Sequence, residues 1–125
     1  MTITEIQAYI SQLRQAGTDL THLEVKLAAS ELPKRLWETL SAFSNTPRGG
    51  VLILGIAEES AFAIVGVTNA GRMQQDLASL CSSMEPAIRG HIEVHRIEGK
   101  HVITAEIPEL PAASKPMLSS WFGPN

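Results

Sequence analysis

The chain has 125 residues and a formal net charge of -3, with 44% hydrophobic and 18% charged residues. This composition excludes a disordered, fibrous or coiled-coil protein, and the length fits one domain around one core. The small excess of acidic residues excludes the strongly basic surface of an unselective nucleic-acid binder, so nucleic-acid binding would depend on local patches. The longest apolar run, 51–57, is far shorter than the roughly 20 residues of a membrane span, and no segment resembles a signal peptide. We therefore expect a cytoplasmic protein with no membrane partner.

The chain begins with a predicted helix followed by a strand. Thr2 and Glu5 have the spacing of a capping box, and apolar residues recur on one helical face until Gly17, which predicts a helix over about 4–15. Residues 23–27 then alternate between apolar and charged side chains. This alternation predicts a half-exposed strand with one buried face.

A second helix and a buried strand are predicted next. Ser30 and Pro33 mark the start of an amphipathic segment that predicts a helix over about 31–44, and Pro47 explains its end because the residue before a proline avoids helical geometry. The continuous apolar run that follows Gly50 predicts a central strand covered on both faces. A turn at 58–60 and a second apolar segment at 61–67 predict that this strand continues into a hairpin.

The last predicted elements are a third helix and a second hairpin. Asn69 is a candidate N-cap, and the helix carries an apolar stripe that includes the lone Cys81, which we expect to be a core residue. Two alternating segments, 92–97 and 101–107, are joined by a short turn that predicts a hairpin. The resulting order is αβαββαββ, an α/β (α+β) fold with three helices and a mixed sheet of about five strands.

Three sets of residues are candidates for chemistry. The segment 47–50 combines glycines with Arg48 between a helix and a strand, where exposed amides can hold a phosphate, although a plain connection is the simpler interpretation. It is not a P-loop, because no lysine follows the glycines and they lead into a strand. A second set consists of basic residues around the predicted second hairpin, which can bind phosphates or form a mixed, solvated surface with the glutamates nearby. This set comprises Arg89, His91, His95, Arg96, Lys100 and His101.

The third set consists of carboxylates near the ends of two predicted strands. Asp19 and Glu24 lie five residues apart, and Glu58 and Glu59 follow the central strand. If the two strands are neighbours, Asp19, Glu24 and Glu58 are candidate ligands for one Mg²⁺ or Mn²⁺ ion that activates water. The alternative is a solvated surface in which these carboxylates pair with a lysine such as Lys26.

Several segments occur together in an order that resembles the Schlafen AlbA_2 family, earlier labelled divergent AAA-4. They are LEVK at 23–26, LSAFSNTPRGGVLILGI at 40–56, VGV at 65–67 and Lys-Pro at 115–116, so that the resemblance spans residues 19–116. In this family a further strand follows the Lys-Pro motif. We therefore expect a single domain over 1–125 that lacks this last strand and forms the N-terminal fragment of a longer protein.

The resemblance implies an α/β DNA-binding module of the kind found in bacterial transcriptional regulators and defence proteins. The residues expected to contact nucleic acid are Lys26, Arg48, Gly49, Gly50, Arg89, Arg96 and Lys100. Some relatives in the family are metal-dependent RNases that use three carboxylates, which implies an alternative catalytic set. Glu24 matches the second of these carboxylates, Asp19 the first by spacing, and Glu58 or Glu59 the third.

Three functions therefore remain as hypotheses. The first is a DNA- or RNA-binding domain without a cofactor, and the second is an RNase that requires Mg²⁺ or Mn²⁺. The third is an oligomerisation module, in which a free sheet edge or the apolar pair Trp121 and Phe122 packs against a second copy to form a homodimer.

Overall fold

A computed structural model of the protein describes residues 1–115, so Pro116, Trp121 and Phe122 lie outside the described residues. Within the described residues it has three helices and six strands, which is the predicted order with one additional short strand between α2 and α3. They are α1 (Ile3–Ala16), β1 (Leu23–Lys26), α2 (Leu36–Ser44), β2 (Gly50–Leu54), β3 (Ile56–Ala57), β4 (Ala63–Ile64), α3 (Ala70–Ser83), β5 (His91–Ile97) and β6 (Lys100–Ile107). Within residues 1–115, no helix is long and apolar enough to cross a membrane.

The main sheet has four strands in the order β1-β2-β6-β5, and it is mixed. Strand β1 runs parallel to β2, with Leu23 beside Val51, whereas β6 runs antiparallel to both β2 and β5. The predicted hairpin over 92–107 is confirmed as β5 and β6. The predicted α+β class with three helices and a mixed sheet is therefore confirmed.

The first predicted hairpin differs from the structure. Strand β2 has β1 on one side and β6 on the other, so neither of its edges is open to the segment 61–67. The chain instead leaves the sheet after Leu54, and β3 and β4 pair with each other over two residues each. The main sheet consequently has four strands rather than about five. The predicted hairpin forms between the end of the apolar run, 56–57, and residues 63–64, whereas the prediction that 61–67 pairs with β2 itself is wrong.

Two of the three helices begin as predicted. The hydroxyl of Thr2 accepts the N–H of Glu5 and the Glu5 carboxylate accepts the N–H of Thr2, which completes the capping box of α1. Asn69 caps α3 by accepting the N–H of Arg72. Helix α2 begins at Leu36 rather than near residue 31, because Pro33 disfavours helical geometry at the residue before it.

The sheet is covered on both faces, as the continuous apolar run of β2 predicts. Leu52 and Leu54 pack among the buried residues of α2 and α3, whereas Ile53 packs with Leu23, Val25 and the buried face of α1. The core position of Cys81 is confirmed, and its burial raises the pKa of the thiol to about 11. A thiol with such a pKa is an unreactive core group at neutral pH.

The start of β2 lies directly against the core. A Cβ atom added to Gly50 would lie 2.3 Å from the Phe43 ring, which is itself buried. We predict that Gly50→Ala lowers the free energy of unfolding by about 1–3 kcal/mol, the usual cost of overpacking a core. Urea denaturation followed by circular dichroism measures this change.

The matched control is Gly71→Ala in α3, where an added Cβ has open space around it. This substitution should leave stability unchanged or raise it by up to about 1 kcal/mol, because alanine favours a helix over glycine. Equal stability of the two variants would show that Gly50 is not restricted by the Phe43 ring.

Candidate nucleic-acid interface

An open cleft of about 900 Å³ lies at one end of the main sheet. The strand registers create it, because Leu23 lies beside Val51, Gly50 beside Ile107, and Glu106 beside His91. The walls of the cleft are thus formed by the first residues of β1, β2 and β5, the last residues of β6, and one side of α1. Its lining residues are Tyr9, Gln12, Leu20, Thr21, His22, Leu23, Arg48, Gly49, Gly50, Val51, Arg89, His91, Glu106, Ile107 and Pro108.

The loop between α2 and β2 places Arg48 at this cleft. The backbone of Arg48 has a positive φ of 68°, and its N–H donates to Glu109 Oε1 at 3.0 Å. Gly49 follows with a φ of 70°, and a Cβ there would lie 1.9 Å from the carbonyl oxygen of Ile107. Glycine is therefore required for the loop to press against β6, and the Arg48 side chain remains exposed.

Peptide groups of this loop are engaged within the protein. The N–H of Gly49 donates to the carbonyl of Thr46 at 2.9 Å, and the N–H of Val51 donates to the carbonyl of His22 at 2.8 Å. The Gly49 carbonyl lies 2.9 Å from His22 Nδ1. Gly49 and Gly50 are both buried. A phosphate at this loop would therefore contact the exposed Arg48 side chain rather than the Gly49 amide.

A second arginine reaches the same cleft from the segment between α3 and β5. The N–H of Ile88 donates to the carbonyl of Cys81 at 2.9 Å, which anchors the segment, and Ile88 is buried. Arg89 follows it and is exposed. The structure therefore brings Arg48 and Arg89 to one cleft although they are far apart in the sequence.

The remaining walls of the cleft combine aromatic, apolar and acidic groups. Tyr9 is partly buried on the α1 side, and Leu20 is 37% exposed. Glu106 is the acidic residue among the lining side chains, whereas His22 and His91 can add positive charge when protonated. A phosphate and a planar base could both find contacts on such a surface.

The other predicted basic residues lie at the opposite end of the sheet. Lys26 ends β1, and its Nζ is 3.5 Å from Glu24 Oε2. Arg96 and Lys100 flank the turn of the β5–β6 hairpin, and Lys100 Nζ donates to the carbonyl of Ile64 at 3.1 Å. The structure therefore separates the predicted nucleic-acid-binding residues into two groups at opposite ends of the sheet.

The predicted carboxylates lie beside the outer edge of β1. Asp19 Oδ1 accepts the N–H of Val25 at 3.2 Å, which satisfies a backbone donor at the edge of the sheet. Glu24 Oε2 accepts the hydroxyl of Thr39, on α2, at 2.5 Å. Glu58 lies in a short 3-10 turn after β3.

Two of the other carboxylates act on Asp19 through their charges. Burial raises the pKa of Asp19 above its ordinary value of 3.8, the N–H of Val25 opposes this shift, and the negative charges of Glu24 and Glu58 add to it. Of the two glutamates that follow β3, Glu58 contributes to this shift. The oxygens of Asp19, Glu24 and Glu58 nevertheless do not converge as metal ligands: within residues 1–115, the group whose ligand atoms lie within 4.8 Å of one another is His91, Glu93 and Glu106.

The sequence profile of the Schlafen AlbA_2 family matches residues 19–120. Because this match covers most of the chain, the protein belongs to the Schlafen AlbA_2 family. Among curated proteins, no match to the chain was found.

Solved structures with the same fold agree with this membership. One is the N-terminal domain of a RecG-related protein from Nitrosomonas europaea, provisionally named as an ATP-dependent DNA helicase. It is 26% identical, with a TM-score of 0.69, over 89% of this chain and 77% of that one. The DIP2311 protein from Corynebacterium diphtheriae is 17% identical, with a TM-score of 0.54, over 85% of this chain and 22% of that one, and it shows the fold alone.

Two residues of the cleft, Tyr9 and His22, were not among the sequence candidates. His22 comes directly before β1, and its position beside the 47–50 loop depends on the parallel register of β1 and β2. Tyr9 lies on α1 one residue before the buried Ile10. Neither position carries a local motif, so the pairing of distant segments is needed to find them.

The environment of Asp19 predicts a pH-dependent effect on stability. Because its pKa is raised in the folded protein, Asp19 destabilises the fold increasingly as pH rises from below 3.8 through the raised value. Asp19→Asn keeps an oxygen acceptor for Val25 and removes the charge. We predict that the variant is more stable than the wild type at pH 7, and that the difference shrinks below pH 3.8.

Urea unfolding of both proteins at pH 7 and pH 3 tests this prediction. Glu59→Gln is the control, because Glu59 is exposed and is not among the charges that act on Asp19. It should show no comparable gain at neutral pH. A lower stability of Asp19→Asn than of the wild type at pH 7 would contradict the prediction.

Proposed function

We propose that this domain binds nucleic acid through the cleft at the end of the sheet. The observation that carries the proposal is that Arg48 and Arg89, both exposed, line one open cleft of about 900 Å³. Exposed guanidinium groups are the usual contacts to phosphate oxygens, to which they donate two parallel hydrogen bonds. The two arginines would bind the phosphate backbone of the nucleic acid, and Tyr9 and Leu20 would contact its bases or sugars.

Membership of the Schlafen AlbA_2 family supports this proposal, as does the likeness to the N-terminal domain of a RecG-related protein. More specifically, we infer that the chain is the DNA- or RNA-binding part of a bacterial transcriptional regulator or defence protein. The excess of acidic residues in the whole chain, together with Glu106 in the cleft, predicts modest affinity at physiological salt.

Fluorescence anisotropy with labelled duplex DNA, single-stranded RNA and stem-loop RNA tests the proposal. We predict salt-dependent binding to at least one of these probes. The double variant Arg48→Gln with Arg89→Gln should bind about 10- to 100-fold more weakly, as expected for two lost charge-assisted contacts. Its salt dependence should also fall by about one phosphate contact for each arginine.

The matched control removes two other exposed arginines, Arg72→Gln and Arg96→Gln, which lie outside the cleft. This control variant changes the net charge by the same amount as the cleft variant. Because it leaves the cleft unaltered, it should retain nearly all of the binding. Binding that is lost equally in both double variants would assign the effect to overall charge. The proposal would be overturned if no probe bound, or if the cleft variant bound like the wild type.

A metal-dependent RNase is the second candidate function. It is favoured by the effect of the Glu24 and Glu58 charges on the pKa of Asp19. The present positions of their oxygens do not fit one metal ion, so no catalytic step is assigned to them. The same RNA probes, incubated with Mn²⁺, test this candidate. Cleavage that requires Mn²⁺ and is lost in Glu24→Gln would favour the RNase, whereas binding without cleavage would favour the first proposal.

Cytoplasmic location and a homodimer remain proposals. Light scattering at the concentrations used for binding measures the mass of the protein. A mass of about one chain would exclude the homodimer. A mass of two chains would make the outer edges of β1 and β5, which pair with no other strand within residues 1–115, the first places to test.

A further inference from the structure

A group of three possible metal ligands lies on the outer part of the main sheet. The ligand atoms of His91, Glu93 and Glu106 all lie within 4.8 Å of one another. His91 is exposed, whereas both glutamates are partly buried. The three side chains belong to neither the predicted carboxylate set nor the arginine pair described above.

The sheet itself positions this group. His91 and Glu106 are direct cross-strand partners in the antiparallel β5–β6 pair. Glu93 lies two residues after His91 on β5, so its side chain emerges on the same face. Three donors on paired strands keep their backbone spacing without help from a loop, which favours a preformed site.

The N-terminal ammonium group of the chain forms an ion pair with the two glutamates of this group. The α-ammonium nitrogen of Met1 is 2.6 Å from Glu93 Oε1 and 3.9 Å from Glu106 Oε2. The two carboxylates therefore converge on a position that a positive charge occupies.

The donor types indicate which cation fits best. One imidazole nitrogen and two carboxylate oxygens suit zinc and neighbouring divalent transition metals, whereas Ca²⁺ and Mg²⁺ prefer oxygen donors. His91 Nε2 is 3.3 Å from Glu93 Oε1. This separation equals the roughly 3.3 Å between two ligands of a tetrahedral zinc ion with bonds of about 2.0–2.1 Å.

We propose that His91, Glu93 and Glu106 form a binding site for a zinc-class divalent cation, in competition with the Met1 ammonium. Three protein ligands leave one position of a tetrahedral ion for water or another ligand. His91 and Glu106 also line the cleft that carries Arg48 and Arg89, so the ion would add positive charge at its rim. The site itself does not depend on the proposed nucleic-acid binding.

Isothermal titration of metal-free protein with Zn²⁺, in the absence of nucleic acid, tests the site. We expect one ion per chain and at least a tenfold weaker affinity in each of His91→Gln, Glu93→Gln and Glu106→Gln. The matched control is His101→Gln, an exposed histidine on β6 at the opposite end of the sheet. Its affinity for Zn²⁺ should equal that of the wild type.

Co²⁺ provides a second readout that a nonspecific surface ion does not give. Tetrahedral Co²⁺ bound at this site should produce visible absorption bands that Zn²⁺ removes and that His91→Gln lacks. Circular dichroism confirms that each variant is folded before titration. The proposal is overturned if wild-type protein binds neither ion, or if the three site variants bind Zn²⁺ as tightly as His101→Gln does.

Discussion

The parallel pairing of β1 with β2 is the constraint on which the site depends. Because both strands run in the same direction, the segments that precede them meet at one end of the sheet. His22 and the 47–50 loop are therefore neighbours, and the antiparallel β6 brings Glu106 to the same end. Pairing on both edges of β2 also forces the chain out of the sheet after Leu54.

A local turn before β1 explains why Asp19 is not part of this cleft. A short bridge between Leu20 and Leu23 folds the chain back, so that Asp19 reaches the N–H of Val25 along the outer edge of β1. A backbone donor at a sheet edge is costly to leave without a partner when it is partly buried. In this chain the Asp19 carboxylate therefore has a structural contact with the edge of the sheet.

Local signals in the sequence predicted the elements that local interactions build. The capping box at Thr2 and Glu5, the cap at Asn69 and the short turn of the second hairpin each depend on residues close in sequence. The predicted pairing of 61–67 with β2 was wrong because β6, about 40 residues later in the chain, pairs with that edge of β2 instead. Burial patterns show that a strand has neighbours without identifying them.

The candidate site was predictable in composition but not in arrangement. Arg48 and Arg89 were both candidates, yet so were Lys26, Arg96 and Lys100, which the strand registers place at the other end of the sheet. Lys26 is further tied to Glu24, which reduces the charge it presents to a partner. Separating the two groups requires the registers of β1 on β2 and of β2 on β6, which are long-range properties that charge patterns do not encode.

The contact between Gly50 and the Phe43 ring has a consequence for recognition. One wall of the cleft is continuous with the hydrophobic core, since Gly49 presses on Ile107 and Gly50 on Phe43. A wall of this kind loses little conformational entropy when a ligand binds, because folding has already fixed its backbone. The same few atoms therefore belong both to the packed core and to the wall of the proposed binding cleft, so substitutions that loosen Phe43 should weaken the proposed binding without touching the ligand.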